Sequence, residues 1–195
     1  MNFLGHLLFS RNDKELMLAN LFGDFVRGKD LSYLRQKTQQ GVFLHRSIDS
    51  YIDNHPAVHE LLQILYKPLP KIAGVAIDLY FDHLLAERWK DFHEQDLADF
   101  TQSFYDCVDL SHNEYTDHFR LVITKMGEKN WLYQYQFENG LYKACQGVSR
   151  RISFENQLVN GLDVFHEFRP EIEKAFDLYM KDAHVYLNNL VLLPK

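Results

Sequence analysis

Residues 41–55, GVFLHRSIDSYIDNH, decide how this chain is read. Val42, Ile48 and Ile52 recur at the spacing of one helical face, so the stretch reads as a helix with an apolar side. His45, Asp49 and Asp53 stand at i, i+4 and i+8 and form a single row on that helix. Such a row is either a solvated face or the wall of a site that needs an imidazole and carboxylates held on rigid backbone.

The helical reading extends in both directions. Residues 14–27, KELMLANLFGDFVR, carry Leu16, Ala19, Leu21, Phe22 and Phe25 on a broad apolar face and stop at Gly28-Lys29-Asp30. Pro56 ends the central helix, because proline disfavours helix at the residue before it, and AVHELLQILY begins another. KPLPK marks a loop, after which a long helix is predicted over about 70–91 with Pro70 in its first turn. Amphipathic helices are predicted over 95–109, 114–126 and 131–151, and PEIEKAFDLYMKDAHVYLNNLV closes the chain as another long one. Strand-like alternation is weak, and there is no internal repeat or low-complexity linker. The expected fold is all-α, with residues 1–195 forming a single compact multi-helix domain.

The chain has 195 residues, 46% of them hydrophobic and 14% aromatic, which is enough to fill a core and argues against extensive disorder. A net charge of −6 argues against non-specific nucleic-acid binding. It also means that an acidic partner must meet a local basic patch. Cys107 and Cys145 form no CxxC pair and suggest no disulfide framework. No basic segment precedes the short apolar run near the N-terminus, and no stretch approaches the roughly 20 apolar residues that span a bilayer. The expectation is a soluble, cytoplasmic protein with no nucleic-acid or membrane partner.

Three of these helices carry acids on apolar backgrounds. Asp24 lies near Phe22 and Phe25, His45 has Asp49 one turn on, and Asp78 and Asp82 are one turn apart with His83 following. Any one of them alone suits a cap, an ion pair or a solvent-facing position. As a set they suit a divalent cation, which relieves the cost of burying carboxylates and their mutual repulsion. Mixed imidazole and carboxylate ligands favour manganese, iron or zinc over calcium. Asp82 and His83 point about 100° apart, so they share one ion only if it lies between them. Otherwise one binds the ion and the other supports it or moves a proton. Asp53 is expected to mark its helix end, and His55 and His59, flanking the proline turn, to lie at the surface.

Four motifs in register, MNFLGHL at 1–7, ANLFGDFVRG at 19–28, GVFLHRSIDSYIDNHP at 41–56 and DLYFDHLLAERW at 78–89, resemble the bacterial acyl carrier protein phosphodiesterases. GVSRRIS at 147–153 is similar to that family's basic segment. The resemblance implies an HD-domain-like, metal-dependent phosphohydrolase that removes 4′-phosphopantetheine from holo-acyl carrier protein, with a divalent metal ion, typically manganese. It places the metal site on Asp24, His45, Asp49, Asp82 and His83, with His6 nearby. The usual HD order is not reproduced, because the adjacent pair here reads Asp-His.

On this reading Arg46 holds a phosphate oxygen through its fork of N–H donors, and Arg27 is a second candidate. Arg27, Lys29, Arg35 and Lys37 form one basic cluster for an acidic carrier, and Lys143, Arg150 and Arg151 another. Two rival readings are a phosphohydrolase for another phosphoester such as a nucleotide, and a non-catalytic helical module that binds a partner. No Gly-rich phosphate loop supports a P-loop enzyme. A di-iron bundle would need two Glu-x-x-His motifs, and none is present.

Overall fold

Local chemistry sets several of the helix starts. Asp13 accepts from Leu16 N at 3.0 Å and opens a helix over Lys14–Phe22. Thr116 does the same for Asp117–Glu128 through Phe119 N. Pro56 occupies the first turn of Pro56–Leu65, where its missing N–H is no loss.

In the computed structural model, which describes residues 1–192, these elements belong to a set of eleven α-helices with no strand among the described residues. They are α1 (Phe3–Leu8), α2 (Lys14–Phe22), α3 (Gln36–Asp53), α4 (Pro56–Leu65), α5 (Ala73–Glu87), α6 (Leu97–Asp106), α7 (Asp117–Glu128), α8 (Trp131–Gln134), α9 (Glu138–Ser149), α10 (Gly161–Glu167) and α11 (Arg169–Asn188). The all-α expectation holds. No helix among the described residues is long and apolar enough to cross a membrane.

The predicted boundaries differ in three places. The first long helix stops at Phe22, and Gly23–Phe25 tightens into a 3-10 turn before extended backbone at Val26. The helix predicted from Pro70 begins at Ala73, because Lys71 adopts a left-handed φ of 68°. The segment 131–151 divides into α8 and α9, and a Cβ at Gly140 would fall 1.8 Å from Gln134 O, so only glycine fits that junction. The short helices α1 and α10 give no sequence signal, since six or seven residues hold too few turns to show a period.

One hydrophobic core joins these helices. Its axis is α5, in which eleven of fifteen residues are buried, packed against α1, α4, α9 and α11. The tightest pairing is α2 with α3. A Cβ at Gly41 would lie 2.4 Å from Ala19, and a Cβ at Gly23 would lie 2.4 Å from that of His45. These glycines let the row on α3 sit directly against α2 and its following turn.

The start of α3 is held from a distance. Glu114 accepts from Arg35 N at 3.0 Å, Arg35 Nε at 2.7 Å and Thr38 Oγ1 at 2.7 Å, which satisfies groups that the helix itself leaves unpaired.

Candidate metal centre

The row of His45, Asp49 and Asp53 becomes a wall. His45 is 8% exposed and lies against Gly23, while the Asp49 side chain is 44% exposed and opens into a cleft of about 340 Å³. From α1, His6 stacks on His45 with ring centroids 4.2 Å apart and planes 18° from parallel. Both rings turn Nε2 to the same carboxylate: His6 to Asp49 Oδ1 at 3.2 Å, and His45 to Asp49 Oδ2 at 3.1 Å. One ligand atom from each of the three residues lies within 4.8 Å of the others.

Asp24, Asp53 and Asp78 line the same cleft, and no lysine or arginine does so among the described residues. Asp78 pairs with the amino group of Met1 at 2.9 Å. Four carboxylates and two imidazoles therefore surround a space that repels an anionic phosphodiester unless positive charge is added. Burial, reinforced by the neighbouring His45, pushes His6 below the ordinary histidine value. A neutral imidazole is the form that ligates a metal. Two imidazole nitrogens with a carboxylate fit a first-row transition ion, so the residues present suit the divalent metal that the sequence suggested.

The predicted ligand set separates into two places. Asp24, His45 and Asp49 meet at the cleft. Asp24 is exposed at its mouth rather than buried between Phe22 and Phe25, because the 3-10 turn carries its side chain outward. Asp82 and His83 lie elsewhere. Asp82 is fully buried and accepts from Leu4 N at 2.7 Å and Gly5 N at 3.1 Å. These N–H groups are the ones an N-cap side chain normally takes, and Asn2 at the cap position leaves them free. Burial raises the Asp82 carboxyl to about 7 despite the opposing pull of the Met1 amine and the two backbone donors. Asp82 thus anchors α1, the helix that carries His6.

His83 Nδ1 donates to Tyr135 O at 2.6 Å and its ring meets Phe165 edge-on. Burial pushes it below the ordinary histidine value. Its Nε2 is buried without a partner, and neither Asp82 nor His83 lines the cleft.

A family model described as acyl carrier protein phosphodiesterase matches residues 1–183. The chain belongs to that family. A relative named acyl carrier protein phosphodiesterase from Enterobacter sp. (strain 638) is 26% identical over 152 residues, covering 77% of this chain and 79% of its own. Relatives of the same name from Salmonella agona (strain SL483) and Salmonella newport (strain SL254) are 33% identical over 89 residues, 46% of each chain. No solved structure matches.

Other predicted residues find different surroundings. Arg46 Nη2 donates to Gly28 O at 2.7 Å and Val26 O at 3.3 Å, so it ties down the turn after Asp24 and does not face the cleft. Arg35 pairs with Glu15 and Glu114, and Lys37 with Asp13, which removes both from the first basic cluster. Arg27, Lys143, Arg150 and Arg151 are exposed, and the last two follow Val148, a lining residue, by two and three positions. Asp53 ends α3 as expected and lines the cleft as well. His59 is exposed, but His55 is buried, 3.4 Å from Asp182 and edge-on to Tyr179. The proline turn folds His55 inward against α11. Cys107 and Cys145 are free thiols.

Only the family resemblance points to His6 from the sequence, because a six-residue helix shows no period. Its partner Asn20, which lies 3.0 Å away through Oδ1, carries no signal beyond being a polar residue inside the apolar run of α2.

Proposed function

We propose that this protein hydrolyses the phosphodiester joining 4′-phosphopantetheine to holo-acyl carrier protein, at a divalent centre held by His6, His45 and Asp49. The observation that carries the reading is the convergence of two buried imidazoles on one carboxylate, in a cleft lined with acids, in a chain of this family. The water oxygen joins phosphorus, the bond from phosphorus to the serine oxygen breaks, and that oxygen takes a proton to become the serine hydroxyl. A bound divalent cation, manganese by preference, supplies neutralisation of phosphoryl charge and an acidified water.

The chain's own residues do the rest. Stacking fixes the two imidazole planes and Asp49 joins them; Asp24, a carboxylate lining the same cleft, is assigned the proton of the incoming water. The acidic lining makes the site dependent on the cation, since four carboxylates outnumber the single Met1 amine among the charges that meet the substrate phosphate.

The carrier approaches along the basic rim. Arg27 is three positions after the lining residue Asp24, and Arg150 and Arg151 are two and three positions after Val148, with Lys143 five before it. Reversing the charge at Arg150 and Arg151 is expected to slow carrier association at low salt and to matter less at high salt. Equal affinity at low ionic strength removes these residues from the reading.

The deciding experiment incubates holo-acyl carrier protein with the manganese-loaded protein and weighs the carrier. Loss of the phosphopantetheinyl mass is the expected result. An unchanged carrier beside protein of verified metal content overturns the substrate assignment.

A further inference from the structure

The hydrogen bonds around His6 determine which of its ring nitrogens keeps its proton. Ser10 Oγ has one proton and gives it to His6 O at 2.8 Å. Asn20 is fully buried, and one end of its side-chain amide lies 2.9 Å from His6 O and 3.0 Å from Ser10 Oγ. Both of those oxygens can only accept here, so that end is the NH2 group. The other end is the carbonyl oxygen, and it faces His6 Nδ1 at 3.0 Å. A carbonyl oxygen cannot donate, so Nδ1 carries a hydrogen whatever the state of the other nitrogen. Nε2 faces two further acceptors, Asp49 Oδ1 and the main-chain oxygen of Met1, so without a cation it donates to them and a bound cation takes the place of that hydrogen.

We propose that Asn20 is a positioning residue that keeps a hydrogen on His6 Nδ1 and so makes Nε2 the nitrogen that gives up its hydrogen to bind the divalent cation in the cleft. This rests on the cation-binding reading above. Asn20 does not line the cleft and acts only through His6. Its backbone sits where α2 and α3 are closest, since a Cβ at Gly41 would fall 2.7 Å from Asn20 N, so the amide has little freedom to move away. Outer partners of metal-binding histidines commonly set tautomer and ring orientation in this way, and losing one costs roughly 10–100-fold in metal affinity.

Two measurements test it. Long-range 1H–15N spectra of the metal-free wild-type protein read the ring directly, with a hydrogen on Nδ1 of His6 expected. A bare Nδ1 overturns the proposal, whatever the metal does. Mn2+ titration followed by electron paramagnetic resonance then compares Asn20→Leu with Asn20→Asp. Leucine fills the space without an acceptor and is expected to weaken Mn2+ binding by roughly 10–100-fold. Aspartate keeps an oxygen opposite Nδ1 but loses both amide donations, so it is expected to melt lower yet recover most of the affinity. Affinity losses that simply follow melting temperature in both variants, or wild-type affinity in Asn20→Leu, overturn the positioning role. Wild-type protein that binds no Mn2+ overturns the cation reading and with it the ligand role of His6. In that case the spectrum still decides, independently, whether Asn20 fixes the ring.

Discussion

The cluster on α3 and the pair on α5 look alike in sequence, each joining an imidazole and a carboxylate on an apolar helix, and the fold uses them in opposite ways. At His45 and Asp49 the nearest groups are another imidazole and more carboxylates, so acceptors gather with few donors between them. At Asp82 and His83 the backbone supplies partners: Leu4 and Gly5 donate to the acid, and Tyr135 accepts from the imidazole. A buried acid satisfied by backbone donors is part of the scaffold. An acid that faces two imidazoles across a cleft is the arrangement for which a cation is proposed. What separates the two is the partner supplied by another part of the chain.

The sharpest way to break this contrast is Asp49→Ala, which removes the carboxylate common to both imidazoles. Mn2+ affinity is expected to fall by more than the roughly 100-fold that bounds the effect of supporting residues, as read by isothermal titration. A variant that still binds Mn2+ like the wild type places the centre elsewhere.

Next in size is Asp82→Ala, which leaves two buried N–H groups at the start of α1 without acceptors. A loss of about 2–4 kcal/mol is expected from urea unfolding. Asp82→Asn tests the same group through pH. Its folded value of about 7 lies above the ordinary carboxylate value near 3.9. The folded state therefore holds more protons between those limits, and stability falls as pH rises through that window. The asparagine variant should flatten the slope between about pH 4 and 7, and an unchanged slope would assign it to another group.

His83→Phe is smaller still. About 1–2 kcal/mol should be lost as Tyr135 O loses its donor, with Mn2+ affinity unchanged. A large loss of metal affinity would place this ring in the centre and erase the contrast with α3.

The smallest expected effect is that of Glu114→Gln at the start of α3. Burial raises the Glu114 carboxyl, but the bonds from Thr38 and Arg35 outweigh it and hold it below its usual range. Its contribution is present above the unfolded value near 4.3 and is lost as pH falls through the folded one. Unfolding curves of variant and wild type, about 1 kcal/mol apart at neutrality, should converge in acid.

Much of this architecture is legible from periodicity, because long amphipathic helices state their own faces. The row on α3 is readable as a row, and Asp24, His45 and Asp49 do share one cleft. The adjacent Asp82–His83 pair misleads because adjacency on a helix carries no information about which backbone atoms lie opposite. The sequence sets Asp24 among phenylalanines, yet a 3-10 turn of three residues is enough to bring it to the mouth. It sets His55 outside, and α11, which begins 114 residues later in the chain, covers it.

The sequence by itself determined the long helices, the lack of strands among the described residues, the acidic balance and the row His45–Asp49–Asp53, since these depend on composition and on spacing along single helices. Tertiary structure alone decided that His6 stacks on His45, that Asn20 faces its other nitrogen, and that Asp82 caps α1. Each of those depends on contacts between helices made close by Gly23 and Gly41 or by the packing of α1 on α5. A backbone donor or acceptor has no signature in the sequence until the fold places it opposite a side chain.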